Sequence, residues 1–250
     1  MAFVFPTHWD YRRWIDYLRF NGDWLVLAAL LTISGFLLVS ITHALFDLIN
    51  INLGKVLGDR FFIWLALIVP LASAWLALNN SQLVGNISPA IARIFAPLLT
   101  LSVLAFLFVL GISGQSLYQD RDMLLIFNIL ILGVLAITVF TLTGFETENY
   151  HKSHLWLVEV LLLITLVLNA IALVGIVFRI SMWGITANRL AVMRMNFLMM
   201  LHLTWIGYSL LISLIRKQSL ANVDIAVVRF LPVYAAWVLV VIFVFPLVFQ

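Results

Sequence analysis

The chain has 250 residues, of which 64% are hydrophobic and 10% charged, and it contains no cysteine. A soluble domain is about half apolar and about a quarter charged, so this excess excludes a single water-soluble core. The formal charge of +3 is too small and too scattered for a nucleic-acid-binding surface and fits loop arginines meeting anionic lipid. The absent thiols exclude disulfides, cysteine-ligated iron–sulfur clusters, c-type haem attachment and thiol catalysis.

The first residues differ from the rest. In "HWDYRRWIDYLRF", Tyr11, Trp14, Ile15 and Leu18 fall at helical spacing, with Arg12, Arg13, Asp16 and Arg19 mostly on other faces. Residues 1–23 are therefore expected to form an interfacial amphipathic segment. The first apolar block starts only near Trp24 and is too long for a signal peptide's core, so no cleavage is expected.

Residues 1–250 read as a single membrane domain, with a seven-helix bundle over 24–250. The apolar blocks are Trp24–Leu48, Phe61–Leu78, Phe95–Leu117, Met123–Phe145, Trp156–Phe178, Asn196–Leu214 and Phe230–Phe249. Each is near the roughly 20 residues that cross a bilayer. Hydrocarbon leaves no partner for free backbone groups, so each must be helical. The fold class is thus all-α, a polytopic membrane helix bundle. Trp9, Trp14, Trp24, Trp64, Trp156 and Trp183 lie near the predicted ends, as an aromatic belt requires. Pro70, Pro232 and Pro246 are candidate kinks. The side holding the N-terminus carries eight Lys/Arg against six on the other. The positive-inside rule then puts the N-terminus inside and the C-terminus outside.

Histidines give the first candidate chemistry. His43 near the end of the first block and His202 in the sixth are expected towards one membrane face. Two imidazoles at similar depth can ligate haem b, and Asp47, four residues after His43, can orient it. The plainer reading is two hydrogen-bonded histidines and no cofactor. "GISG" around Ser113 resembles the Gly-x-Ser-Gly of rhomboid intramembrane proteases, but Leu201 and Leu203 flank His202, unlike that family's pattern. A glycine-bounded serine at the end of a span also marks helix termination. A membrane-embedded redox or hydrolytic enzyme using His43, Asp47, Ser113 and His202 stands as the alternative function.

"ETENYHKSHLWLVE" gathers Glu146, Glu148, His151, His154 and Glu159. It can hold zinc, or be a solvated loop whose helix is capped at Ser153; the loop reading is adopted. Glu159 lies in the first turn of the fifth block, where a carboxylate needs a partner, water or a helix N-terminus. Asn128 and Asn169 read as interhelical hydrogen-bond glue. Lys55, Lys152 and Lys217 all lie in loops, so the last helix offers no Schiff-base lysine for retinal. No repeated halves or line of buried charges suggest a transporter.

Arg179, Arg189 and Arg194 frame the connection "RISMWGITANRLAVMR". Their plain reading is snorkelling at headgroup level. Gly184 permits a positive φ after the fifth helix, and Thr186 can cap the next. Arg189, at capping distance from Thr186, is expected to be held in place and to reach Asp47 or Asp59, or an anionic headgroup. Trp183, Gly184, Ile185, Thr186 and Arg189 form an aromatic-Gly-Leu/Ile-Thr-x-x-Arg box. With its flanking helices it resembles a family of bacterial multi-pass membrane proteins to which no reaction is assigned. The resemblance covers the fifth and sixth helices and implies a bacterial inner-membrane protein. The expected function is non-catalytic: a subunit or scaffold among other membrane proteins, or a small-molecule permease. Arg179, Arg189, Arg194, Asp47 and Glu159 are the expected lipid or partner contacts.

Overall fold

The computed structural model describes residues 11–57, 61–79, 87–113, 121–143, 152–217 and 219–249. Every regular element among them is an α-helix. In chain order these are α1 (Tyr11–Asp47), α2 (Leu53–Leu57), α3 (Phe61–Asn79), α4 (Ile87–Ser113), α5 (Arg121–Thr143), α6 (Lys152–Trp183), α7 (Ala187–Arg216), α8 (Ala221–Arg229), α9 (Leu231–Phe243) and α10 (Phe245–Val248).

Six stretches are long and apolar enough to cross a membrane: Trp14–Asp47, Ile94–Ser113, Met123–Leu142, Lys152–Trp183, Ala187–Arg216 and Ala221–Val248. The remaining expected span falls on α3, with a shorter apolar run at Ala66–Leu78. At about 1.5 Å per residue, the 19 residues of α3 reach about 28 Å, near the hydrocarbon thickness of about 30 Å. The chain is a multi-pass helical membrane protein.

Helices run further than the apolar blocks do, because arginine and asparagine polarity does not end a helix. From Tyr11 on, the expected interfacial segment and the first span form one helix of 37 residues. The expected loop Arg179–Arg194 is mostly helix as well; only Gly184, Ile185 and Thr186 lie outside α6 and α7. Pro70 sits inside α3, where its carbonyl accepts from Trp24 Nε1 (3.2 Å) and Ser73 Oγ (2.9 Å). Pro232 and Pro246 instead lie in the first turns of α9 and α10, after single-residue interruptions at Phe230 and Val244.

Central helices α5 and α6 divide the packing. On one side they meet α1 and α4 around Phe106, Phe127, Leu130, Leu161 and Leu168, with the Phe106 and Phe127 rings edge-to-face at 5.8 Å. On the other they meet α7 and α8 around Leu162, Leu203, Ile206, Val223 and Val227. A third cluster joins α1, α3 and α4 through Leu27, Leu31, Leu76 and Phe95.

Candidate functional site

The connection from α6 to α7 is a tight, fully specified turn. Gly184 adopts φ +77°, which glycine alone enters at no steric cost, and its N–H donates to Ile180 O at 2.9 Å. Thr186 is extended (φ −126°, ψ 156°), and its side chain accepts from Arg189 N at 3.3 Å. Arg189 then folds back over the end of α6. Its Nη1 donates to the carbonyls of Trp183 (2.9 Å) and Gly184 (2.8 Å). A cation at a helix C-terminus answers both the unpaired carbonyls and the dipole. The expected tie to Asp47 does not form, because the Arg189 guanidinium is turned onto its own connection. Asp47 is exposed at the end of α1, and Asp59 lies outside the described residues.

Trp183 gathers charge at this turn. The guanidinium of Arg179 lies 5.8 Å and that of Arg189 5.9 Å from its ring, within cation–π range. Arg194 behaves differently: it is exposed and lies 5.7 Å from the Trp237 ring on α9.

Below the turn, α5, α6 and α7 line a half-open cavity of about 850 Å³ whose polar lining includes Arg179, Arg189, Asn188, Thr186 and Asn128. Leu124, Leu125, Ile129, Ile176 and Val192 supply its apolar walls. Asn128 links it to a buried polar layer. Asn196 Nδ2 donates to Asn128 Oδ1 at 2.7 Å and to Val192 O at 3.0 Å, while Asn169 Nδ2 donates to Asn196 O at 3.1 Å. The asparagines at 128 and 169 are therefore the interhelical links the sequence suggests, and Asn196 is the partner that joins them.

The candidate chemical groups are not brought together. His43 is exposed on α1 and borders a separate groove with α3 and α4. Ser113 is exposed at the last position of α4 and donates to Leu110 O at 3.1 Å. His202 is buried on α7, with Nδ1 3.0 Å from the Tyr234 hydroxyl and its ring stacked on Phe230 at 4.6 Å. His43, Asp47 and Ser113 thus belong to α1 and α4, and His202 to α7 beside Tyr234, with α5 and α6 packed between the two groups of helices.

Glu159 corrects another expectation. It is only 2% exposed and so faces the bundle, not lipid. Its Oε2 is buried without a hydrogen-bond partner, and Oε1 stands 3.7 Å from where a Cβ on Gly207 would be. A glycine here lets the α7 backbone pass beside a buried carboxylate. Glu146, Glu148 and His151 lie outside the described residues. Among the described residues no group of three or more His, Asp or Glu side chains is placed to hold a metal ion.

Sequence reasoning missed Asn188, Asn196, Gly207, Tyr234 and Trp237. Asn196 carried a usable signal, as a third asparagine at a span boundary. Gly207 and the α9 aromatics carried none, since their value depends on which helix each one meets. No family model, curated protein or solved structure matches this chain.

Proposed function

We propose that this protein is a non-catalytic integral-membrane component of a bacterial inner membrane, a subunit or scaffold that packs against other membrane proteins. One observation carries the reading: His43, Ser113 and His202 occupy three separate settings. His202 and Ser113 each have a structural hydrogen bond, and the groups that do converge close turns and link helices. The α9 helix adds support, because it has no buried residue and so presents its whole length beyond its contacts with α7 and α8. The Trp183–Arg189 box supports the bacterial assignment through its resemblance.

The test is co-purification from gently solubilised membranes together with a visible spectrum. A reproducible, stoichiometric membrane-protein partner is the expected result. A Soret band that disappears in both His43→Ala and His202→Ala would replace this reading with the haem enzyme.

A further inference from the structure

We propose that the cavity between α5, α6 and α7 binds the head of an anionic amphiphile, a phosphate- or carboxylate-bearing molecule with an acyl chain. This goes beyond the scaffold reading and does not depend on it.

Three observations converge. First, the head site is cationic and positioned. Arg179 and Arg189 both line the cavity, and the Nη1 bonds to Trp183 O and Gly184 O fix the Arg189 guanidinium. Those bonds use one of its nitrogens; a guanidinium carries five N–H donors in a planar fork, so donors remain for an anion. Second, neutral donors stand where an oxyanion needs them. Asn188 lines the mouth. Asn128, two turns lower on α5, spends its oxygen on Asn196 and keeps its amide N–H groups. The α7 N-terminus opens at the same mouth with no acidic residue in its first turn, which favours negative charge. Third, the cavity is bordered by apolar surface. Its α5 wall includes Leu125 and Ile129, 60% and 49% exposed, so an acyl chain can leave along α5 while the head stays between the arginines. That wall distinguishes an amphiphile from a free anion.

The experiment uses the full chain, delipidated in neutral detergent, and native mass spectrometry with three probes: phosphatidylglycerol, phosphatidylcholine and inorganic phosphate. Phosphatidylglycerol should bind at least about tenfold more tightly than phosphatidylcholine, as one or two charge-assisted hydrogen bonds require. It should also outcompete phosphate. Arg179→Gln should weaken phosphatidylglycerol by about tenfold, while Arg194→Gln, which contacts Trp237 instead, should leave it unchanged. Arg189→Gln risks loosening the turn, so Asn188→Asp provides the second route. An acid in the first turn of α7 favours the helix and leaves the turn intact, yet it repels an anion at the mouth. Asn188→Asp should therefore melt no lower than the parent and lose the preference for phosphatidylglycerol. Equal affinity for the two lipids, or unchanged binding in both Arg179→Gln and Asn188→Asp, overturns the proposal. Phosphate binding as tightly as phosphatidylglycerol overturns the amphiphile and leaves a small-anion site.

Discussion

The α6–α7 pair and the C-terminal α8–α10 segment are both apolar, yet they are held in opposite ways. The most hydrophobic windows of α6 and α7 are each 44% buried, whereas that of the C-terminal stretch is 11% buried. Hydropathy does not explain this, since the C-terminal window, at 2.5, exceeds that of α7, at 1.8. In a bilayer, lipid tails solvate leucine as well as a neighbouring helix does, so apolar content alone gives no reason to associate. The difference lies in polar and small residues. The α6–α7 pair holds Asn169, Asn196, Glu159 and Gly207 at its interface; α9 offers Tyr234 to His202 and Trp237 to Arg194. Helix contact here follows hydrogen bonds and close backbone approach.

The strongest test of that contrast is to fill the gap at Gly207. An added Cβ meets Glu159 Oε1 at an ordinary 3.7 Å, so Gly207→Ala should change little. Gly207→Leu must push the Glu159 side chain or the helices apart, and overpacking of this kind costs about 1–3 kcal/mol. Unfolding by a denaturing detergent should show that drop. A comparable loss from Val238→Phe, on exposed α9, would erase the difference between the two regions.

The asparagine layer should come next. Asn196→Leu removes the bond to the half-buried Asn128 and its own bond to Val192 O, for about 1–2 kcal/mol. Asn128→Leu should cost about the same, and the double variant much less than the sum, because both delete one bond. Strict additivity in that cycle would mean the 2.7 Å contact contributes nothing to packing.

These same elements explain how much the sequence disclosed. Long apolar blocks forced the helices and their order, with six stretches long enough to cross a membrane and the remaining expected span on the shorter α3. Gly184 and Thr186 were legible as a break and a cap because both act on their own neighbours. Arg189 was half legible. Its fixed position was expected, but its acceptors, the carbonyls of Trp183 and Gly184, are backbone atoms that no sequence pattern marks. Helix ends were misplaced wherever polar residues continued a helix past the hydrocarbon, as at Arg179 and Arg194. Side-by-side relations were illegible: an aqueous helix shows its inner face by polarity, whereas a membrane helix is greasy all round. That is why no pattern in the sequence showed that α5 and α6 pack between the helices carrying His43 and His202.

Turn chemistry sits between the two regions in strength. Arg189→Gln removes two bonds to carbonyls at the end of α6 in a half-exposed site, so about 1 kcal/mol is expected. Arg189→Lys should recover only part, since an ammonium keeps the charge but not the planar fork. Full recovery by lysine would show that the dipole alone is being answered.

The smallest effect should belong to Arg194, and it separates the regions most cleanly. Its guanidinium lies over Trp237 on α9, and an exposed cation–π contact contributes about 0.5–1 kcal/mol. That energy ties α9 to α7 and does nothing for the α6–α7 interface. Arg194→Gln should therefore leave the unfolding midpoint of the bundle almost unchanged while increasing amide hydrogen exchange along α9. Tyr234→Phe, which deletes the hydroxyl facing His202, should produce the same local opening, and the two together should act nearly additively because Arg194 and His202 hold α9 from positions roughly two turns apart on α7. If either substitution lowers the global midpoint as far as Asn196→Leu does, α9 is an integral part of the packed core and the contrast between the two regions fails.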